Sequence, residues 1–224
     1  NIVNFNLDAF CSYGKTQGFN APVSEESAFA YTTALNYLLG KESRRIQIAD
    51  ATTVFWAEKP TPLEDWFSNM FNPQQEDTGQ VAQVRLFLEA VRNGNMPKNV
   101  NGDIQFFILG LSPNSSRLAI RFWYAGTVQD LSQKIGKHFQ DIAIEKQGEN
   151  DNDFPGIWQL LQQTAARGKT ENINPLIGGE LMRSILTGGN YPVSLLAALI
   201  NRINANERIN YLRSSLIKGI LTRN

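Results

Sequence analysis

The stretch FFILGLSPNSSRLAIRFW, residues 106–123, predicts a β-hairpin. Its first half is an apolar run, and its second half alternates between two kinds of side chain, as a strand with one buried and one exposed face does. Pro113 and Asn114 suit the central positions of the turn between the strands. The alternation predicts a buried face of Leu118, Ile120, Phe122 and Tyr124, and an exposed face of Arg117, Ala119, Arg121 and Trp123.

Two arginines and a tryptophan on one sheet face suit a phosphate backbone and a stacked base. Arg117, Arg121 and Trp123, with Asn114 at the turn, are therefore candidate nucleic-acid-binding residues. The alternative is a solvated face whose arginines pair with nearby carboxylates.

The composition describes a soluble globular protein of 224 residues with 42% hydrophobic residues and a net charge of zero. No apolar run approaches the roughly 18 residues that span a bilayer, and no signal peptide opens the chain. Cys11 is the only cysteine, which points to a reducing compartment and a cytoplasmic protein. Because the first residue is Asn1 and not Met, we expect a missing start or a piece of a longer protein.

The pattern along the chain predicts an α+β fold: a small antiparallel or mixed sheet with flanking helices, followed by an all-helical C-terminal lobe. We expect an α+β body over 1–150 and a helical lobe over 151–224, as two units or one continuous domain. Further strands are predicted at 45–48, 53–57 and 142–144. Helices are predicted at 24–39, from 61, and at 78–93, 127–139, 155–167, 178–187, 192–204 and 207–222.

Basic residues outnumber acidic ones in the predicted helical lobe. Those near its last two helices are Arg202, Arg208, Arg213, Lys218 and Arg223. The apolar stripe Ile209, Leu212, Leu216 and Ile220 should face the core, with Leu212 almost fully buried, which turns Arg213 and Lys218 outward. We expect a patch that tracks a nucleic-acid backbone; the alternative is a solubilising surface or a dock for a neighbouring subunit.

No pattern of residues predicts a catalytic, metal or cofactor site. His138 is the only histidine, and a general base also needs an orienting partner. Ser215 and Lys218 match the serine–lysine spacing of penicillin-binding enzymes, but no companion motif occurs. A hydrolase with a pocket around His138 or Ser215 is the remaining enzymatic alternative.

Five segments in order resemble the large subunit of the type I-C CRISPR Cascade surveillance complex. They are residues 20–36, 52–58, 112–123, 178–192 and 210–224. Members of that family are longer, and the chain resembles their middle part. The resemblance implies a non-enzymatic scaffold, but it assigns no base-reading residue in this stretch.

The resemblance also implies partners: the subunits that surround the CRISPR RNA, target double-stranded DNA, and a helicase-nuclease recruited after R-loop formation in antiviral defence. In RNA-guided systems base pairing reads the sequence, while protein reads a short motif and holds the backbones. The alternative is a purely structural core that contacts other protein subunits and no nucleic acid.

Overall fold

A four-stranded antiparallel sheet forms the centre of the computed structural model, which describes residues 11, 13–15, 17–71, 78–115, 117–149, 151–205 and 208–223. The strands lie side by side in chain order: β1 (Arg45–Ile48), β2 (Ala51–Ala57), β3 (Gln105–Asn114) and β4 (Arg117–Thr127). Each strand therefore pairs with its neighbour in the sequence, so the sheet is a meander.

Helices flank the sheet and make up the C-terminal part of the chain, which confirms the predicted α+β fold. They are α1 (Glu25–Gly40), α2 (Pro62–Phe71), α3 (Thr78–Arg92), α4 (Val128–Ile142), α5 (Ile157–Gln162), α6 (Pro175–Thr187), α7 (Val193–Asn204) and α8 (Tyr211–Arg223). Side-chain oxygens of Ser24, Thr127 and Asn174 accept backbone N–H groups at the starts of α1, α4 and α6, as good N-caps do. Within the described part of the chain, no helix is both long and apolar enough to cross a membrane.

The strand predicted at 142–144 is wrong, because α4 continues to Ile142 and an irregular segment follows it. Ile142 is buried as the last residue of the apolar face of α4. Its apolar character therefore reflects the period of a helix and not that of a strand.

One face of the sheet packs against the helices and carries the core. Phe55, Phe106, Ile108 and Phe122 project from this face and are almost fully buried. The core cluster continues from them through α4, α6 and α8 without interruption. The segments predicted as body and lobe therefore share one connected set of buried side chains.

A β-bulge in the hairpin reverses part of the predicted alternation. Leu111 pairs with Ile120 while Gly110 pairs with Phe122, so Arg121 is the extra residue on β4. Leu118 and Ile120 consequently lie outside the core, 47% and 64% exposed, although the strict alternation predicted them inside. The predicted burial of Phe122 is confirmed at 2% exposure. A bulge shifts the side-chain phase by one residue, which alternation in the sequence cannot show.

The hairpin turn lies two residues later than predicted. Pro113 and Asn114 still belong to β3, and Asn114 pairs with Arg117 across the hairpin. Ser115 follows with a φ of +54°, the left-handed conformation that tight hairpin turns require. Asn114 is thus an exposed residue at the tip of the hairpin.

The turn between β1 and β2 docks directly on α6. A Cβ atom on Gly178 would lie 2.4 Å from the Cβ of Ala49, so only glycine permits this approach. On the same side, Trp158 of α5 donates from Nε1 to the carbonyl of Gln47 at 3.2 Å. These contacts fix the helical lobe against the end of the sheet.

Candidate nucleic-acid interface

The outer face of the sheet, opposite the core, carries an open groove of about 500 Å³ beneath α1. We call it the aromatic groove. It is lined by Tyr31, Ala34, Leu35, Tyr37 and Leu38 of α1 and by Trp56, Leu109 and Trp123 of the sheet. Because strand side chains alternate between faces, this surface is built from the residues that the core does not use.

Aromatic rings form the floor of the groove. The ring centroid of Trp56 lies 5.2 Å from that of Phe107 and 5.8 Å from that of Trp123, within the usual range for interacting rings. Trp123 remains 48% exposed. The sequence predicted this exposure, and the bulge does not alter it because Trp123 lies on the far side of the bulge from the turn.

Helix α1 covers this face loosely. None of its 16 residues is buried, although its sequence EESAFAYTTALNYLLG contains many apolar side chains. Phe29 and Tyr37 are among the exposed aromatic residues. A helix usually gains most of its stability from a packed apolar face, so α1 adds a second aromatic wall and little core.

Two cations lie at the C-terminal end of α1, beside the groove. The Lys41 ammonium donates to the Tyr37 hydroxyl at 3.3 Å and lies 5.4 Å from the ring centroid. Arg45 donates from Nη1 to the carbonyl of Leu39 at 2.9 Å. Cations that are bound to the last turn of a helix are stabilised by its partial negative charge, and both of these side chains remain exposed.

Arg121 lies on the opposite face from Trp123, so the predicted pairing of these two side chains is wrong. The bulge directs Arg121 toward α6, where Nη2 contacts Asp50 Oδ2 at 2.5 Å and the side chain packs on Gly179. Ser112 donates to the same carboxylate oxygen. Burial alone would raise the pKa of Asp50, but the hydrogen bonds from Arg121 and Ser112 outweigh burial and lower it.

Asn114 and Arg117 are the other two candidate residues of the hairpin. Asn114 lies exposed at the hairpin tip, away from the residues that line the aromatic groove. The backbone of Arg117 belongs to β4, but its side chain lies outside the described residues. The role of both in nucleic-acid binding stays a prediction.

Two of the predicted basic residues in the lobe are buried. Arg213 is only 6% exposed, and its Nη1 donates to the carbonyl of Arg208 at 2.6 Å, so its predicted outward orientation is wrong. The Arg223 side chain is 2% exposed and its Nε contacts Asp141 Oδ2 at 2.5 Å. The Arg223 guanidinium also donates to the carbonyls of Ser184 and Gly189. Backbone carbonyls thus satisfy the N–H donors of guanidinium groups that a count of acidic residues leaves unpaired.

The remaining lobe cations are more accessible. Lys218 is exposed, as predicted, but its ammonium donates to the carbonyls of Gln140 and Ala143 and so caps the end of α4. Arg202 is half-buried, and Arg208 is exposed. The structure therefore does not gather the five predicted residues into one outward-facing patch.

The predicted apolar stripe of the last helix is only partly correct. Leu216 and Ile220 are buried, but Ile209 is exposed and precedes α8. Leu212 is half-buried and not almost fully buried. Buried Arg213 occupies part of the face that the stripe was expected to fill.

His138 and Ser215, the two residues named in the enzymatic alternative, are buried in the core. His138 is buried and its Nδ1 lies 2.6 Å from the Tyr191 hydroxyl. Burial first, and the positive charge of Arg223 second, lower the pKa of His138 to about 3. The buried Ser215 hydroxyl donates to the carbonyl of Ile142. In the described ranges, no group of three or more His, Cys, Asp or Glu residues is arranged to hold a metal ion.

Most of the aromatic groove was not predicted from the sequence. Tyr31, Tyr37 and Trp56 were not among the candidate residues, although Phe55 and Trp56 are consecutive large aromatic residues in a predicted strand. Successive strand residues point to opposite faces, so two adjacent aromatics indicate that both faces of β2 are covered. The adjacent Phe55 and Trp56 therefore indicate that the outer face of β2 contributes a wall of the groove.

Comparison with protein families identifies the chain as a CRISPR-associated protein. The family described as CRISPR-associated protein (Cas_Csd1) matches residues 1–224. Comparison with curated proteins gives no match. Because the family match extends over the whole chain, the chain belongs to the Cas_Csd1 family of CRISPR-associated proteins.

Proposed function

We propose that this chain is a non-enzymatic part of the large subunit of a type I-C CRISPR RNA-guided surveillance complex, and that its aromatic groove holds unpaired nucleic-acid bases. Its partners there are the subunits around the CRISPR RNA, target double-stranded DNA during R-loop formation, and the recruited helicase-nuclease. The family match supports the CRISPR setting. The geometry of the aromatic groove supports the nucleic-acid contact.

The observation that carries this proposal is the pairing of aromatic walls across the groove. Tyr31 and Tyr37 lie on one side, and Trp56 and Trp123 lie on the other. A base that stacks on an aromatic side chain gains about 1–3 kcal/mol, whatever its identity. Lys41, which contacts Tyr37 at one end, supplies positive charge for a phosphate backbone, and Arg45 nearby is paired with Glu42 at 3.8 Å.

The groove favours stacking over sequence reading, because its walls are almost entirely apolar. Base identity is read by hydrogen bonds to base edges, and the aromatic groove offers few groups for them. Its expected role is to hold a displaced or unpaired strand irrespective of sequence.

One observation favours the alternative of a purely structural core that binds protein. Leu118 and Ile120 expose apolar side chains on the same sheet face as Trp123. Contiguous exposed apolar surface often marks a protein contact. Substitution of Trp123 separates the two functions.

The test replaces Trp123 by alanine in the protein assembled in its complex and measures the Kd of a labelled single-stranded oligonucleotide. We expect Trp123→Ala to weaken binding about tenfold, the loss of one stacked base. Phe29→Ala is the matched control, because Phe29 is an exposed aromatic residue of α1 outside the groove lining.

Arg121→Ala is a second control, since the bulge places that side chain on the other face. Unchanged oligonucleotide affinity in Trp123→Ala, together with a lower yield of assembled complex, would favour the protein-binding alternative. Equal loss in Trp123→Ala and Phe29→Ala would contradict a specific role for the groove.

A further inference from the structure

A second groove, of about 520 Å³, lies between the end of α3 and the exposed side of α4. Its lining includes Asn93, Asn95, Gln129, Gln133, Lys137 and Gln140. We call it the amide groove, because five of these six side chains are primary amides. Its volume falls in the range of pockets that bind small molecules.

The amides of α4 lie in one row. Gln129, Gln133, Lys137 and Gln140 follow each other at spacings of three or four residues, which places them on one face of a helix. Asn93 and Asn95 face them from the loop that ends α3. Among the described residues, none of the five amide side chains takes part in an intramolecular hydrogen bond, so their donors and acceptors are available to a ligand.

The walls of the amide groove are rigid. Helix α4 approaches the end of α3 so closely that a Cβ atom on Gly136 would lie 2.2 Å from the Val91 carbonyl oxygen. Gly94 follows α3 with a φ of +77°, and the backbone N–H of Asn95 donates to the carbonyl of Ala90 at 2.9 Å. The backbone of the site is therefore ordered before a ligand binds, and only the exposed amide side chains lose rotamer freedom on binding.

Two cations line the amide groove, and Arg92 is directed to Asp153 and the Phe154 ring, whereas Lys137 lies in the row of amides. The Lys137 ammonium is 3.1 Å from Asp141 Oδ1, and its side chain is half exposed. Asp141 is itself buried and bound to Arg223. Lys137 is thus held in place at its inner side while its ammonium remains accessible to a phosphate.

The chemistry of the groove fits a nucleobase edge better than a protein side chain. A primary amide offers a donor beside an acceptor, the pattern with which Asn and Gln bind adenine bidentately. Protein interfaces are anchored by buried aromatic or large apolar groups. The amide groove exposes no aromatic side chain, and its apolar members Val91 and Met96 are buried or half-buried.

We propose that the amide groove binds the edge of an unpaired adenine, with Lys137 contacting the adjoining phosphate. This inference rests on the proposed function and adds base discrimination, which the apolar walls of the aromatic groove do not provide. The two grooves then have separate tasks: one stacks bases without regard to sequence, and the other distinguishes them.

The test compares short single strands of oligodeoxyadenylate and oligothymidylate, each labelled and titrated against the protein in its assembled complex. The wild type should bind oligodeoxyadenylate more tightly. The double variant Gln129→Ala/Gln133→Ala should weaken that binding about tenfold and leave oligothymidylate affinity unchanged, because a bidentate amide–base pair is worth about 1–3 kcal/mol. Gln147→Ala, an exposed glutamine outside the groove, should change neither affinity.

Several outcomes would overturn the inference. Equal affinity of the wild type for both strands would do so, as would a double variant that keeps the adenine preference with an unchanged melting temperature. A double variant that assembles poorly but binds both strands normally would identify the groove as a protein contact. If the wild type binds neither strand, the proposed function fails as well; if only the preference is missing, the proposed function stands.

Discussion

The aromatic groove and the helical lobe use their conspicuous side chains in opposite ways. The groove leaves Trp123 of the sheet and Tyr37 of α1 exposed, and α1 buries none of its residues. The lobe, in contrast, encloses Arg213 and Arg223, the kind of side chain that a sequence suggests for a surface. The difference shows that the charge of a segment does not locate a binding surface, because a buried guanidinium can be held by backbone carbonyls and by a carboxylate from a distant helix.

The two faces of β4 give the sharpest test of this comparison. Phe122→Ala should lower the free energy of unfolding by about 4 kcal/mol, as for other buried phenylalanines. Its neighbour Trp123 is half exposed, so Trp123→Ala should cost about 1 kcal/mol or less. Urea denaturation of both variants measures the difference. Similar losses in the two variants would show that the two faces of β4 do not differ in how much packing they contribute.

Breaking the buried ion pair of the lobe tests whether its arginines are structural. Arg223→Ala leaves the buried Asp141 carboxylate with only Lys137 nearby. Removal of one partner from a buried pair typically costs about 3 kcal/mol or more. Arg208→Ala, at an exposed position, should stay within about 0.5 kcal/mol. Thermal unfolding is the measurement, with oligonucleotide affinity recorded alongside.

A binding role for Arg223 would contradict its structural assignment. If Arg223→Ala keeps its stability but loses oligonucleotide affinity, the sequence-based prediction of a nucleic-acid patch would be restored for that residue. The distinction between an aromatic surface and a structural lobe would then fail.

The smallest expected effect is the dependence of the free energy of unfolding on pH. The pKa of His138 falls from an ordinary 6.5 to about 3 in the folded protein. The unfolded chain therefore binds more protons between these values, and stability rises with pH through this window and levels off above 6.5. The slope from this one group is at most about 1.4 kcal/mol per pH unit.

Because His138 is the only histidine, it dominates the upper part of this window. The carboxyls with lowered pKa, Asp50 and Asp130, add their own loss of stability only at more acidic pH. His138→Phe should flatten the slope between about pH 5 and 6.5. Urea titrations across this range check it; an unchanged slope would mean that the imidazole is accessible to protons in the folded state.

The helices and the first strands could be predicted because their signals are local. Ser24 and Thr127 cap α1 and α4 with residue types that favour helix starts, and the alternation in β4 is correct from Phe122 onward. The error before Phe122 comes from one extra residue, Arg121, which a periodic pattern cannot reveal.

The candidate site was harder to predict because its parts come from distant segments. Arg223 and Asp141 are 82 residues apart, so nothing in the local sequence indicates that they meet. Likewise, the walls of the aromatic groove come from α1, β2, β3 and β4. Only Trp123 was identified, since its exposure follows from the strand period alone.

The docking of the first turn of the sheet on α6 has a consequence for how the protein forms during synthesis. Gln47 accepts a hydrogen bond from Trp158, 111 residues later, and Ala49 packs against Gly178. Chains emerge from the ribosome slowly, starting from the N-terminus, and long-range contacts form late. The turn of the β1–β2 hairpin therefore cannot dock until α5 and α6 are translated, so a ribosome that stalls before Gly178 leaves this end of the sheet uncovered.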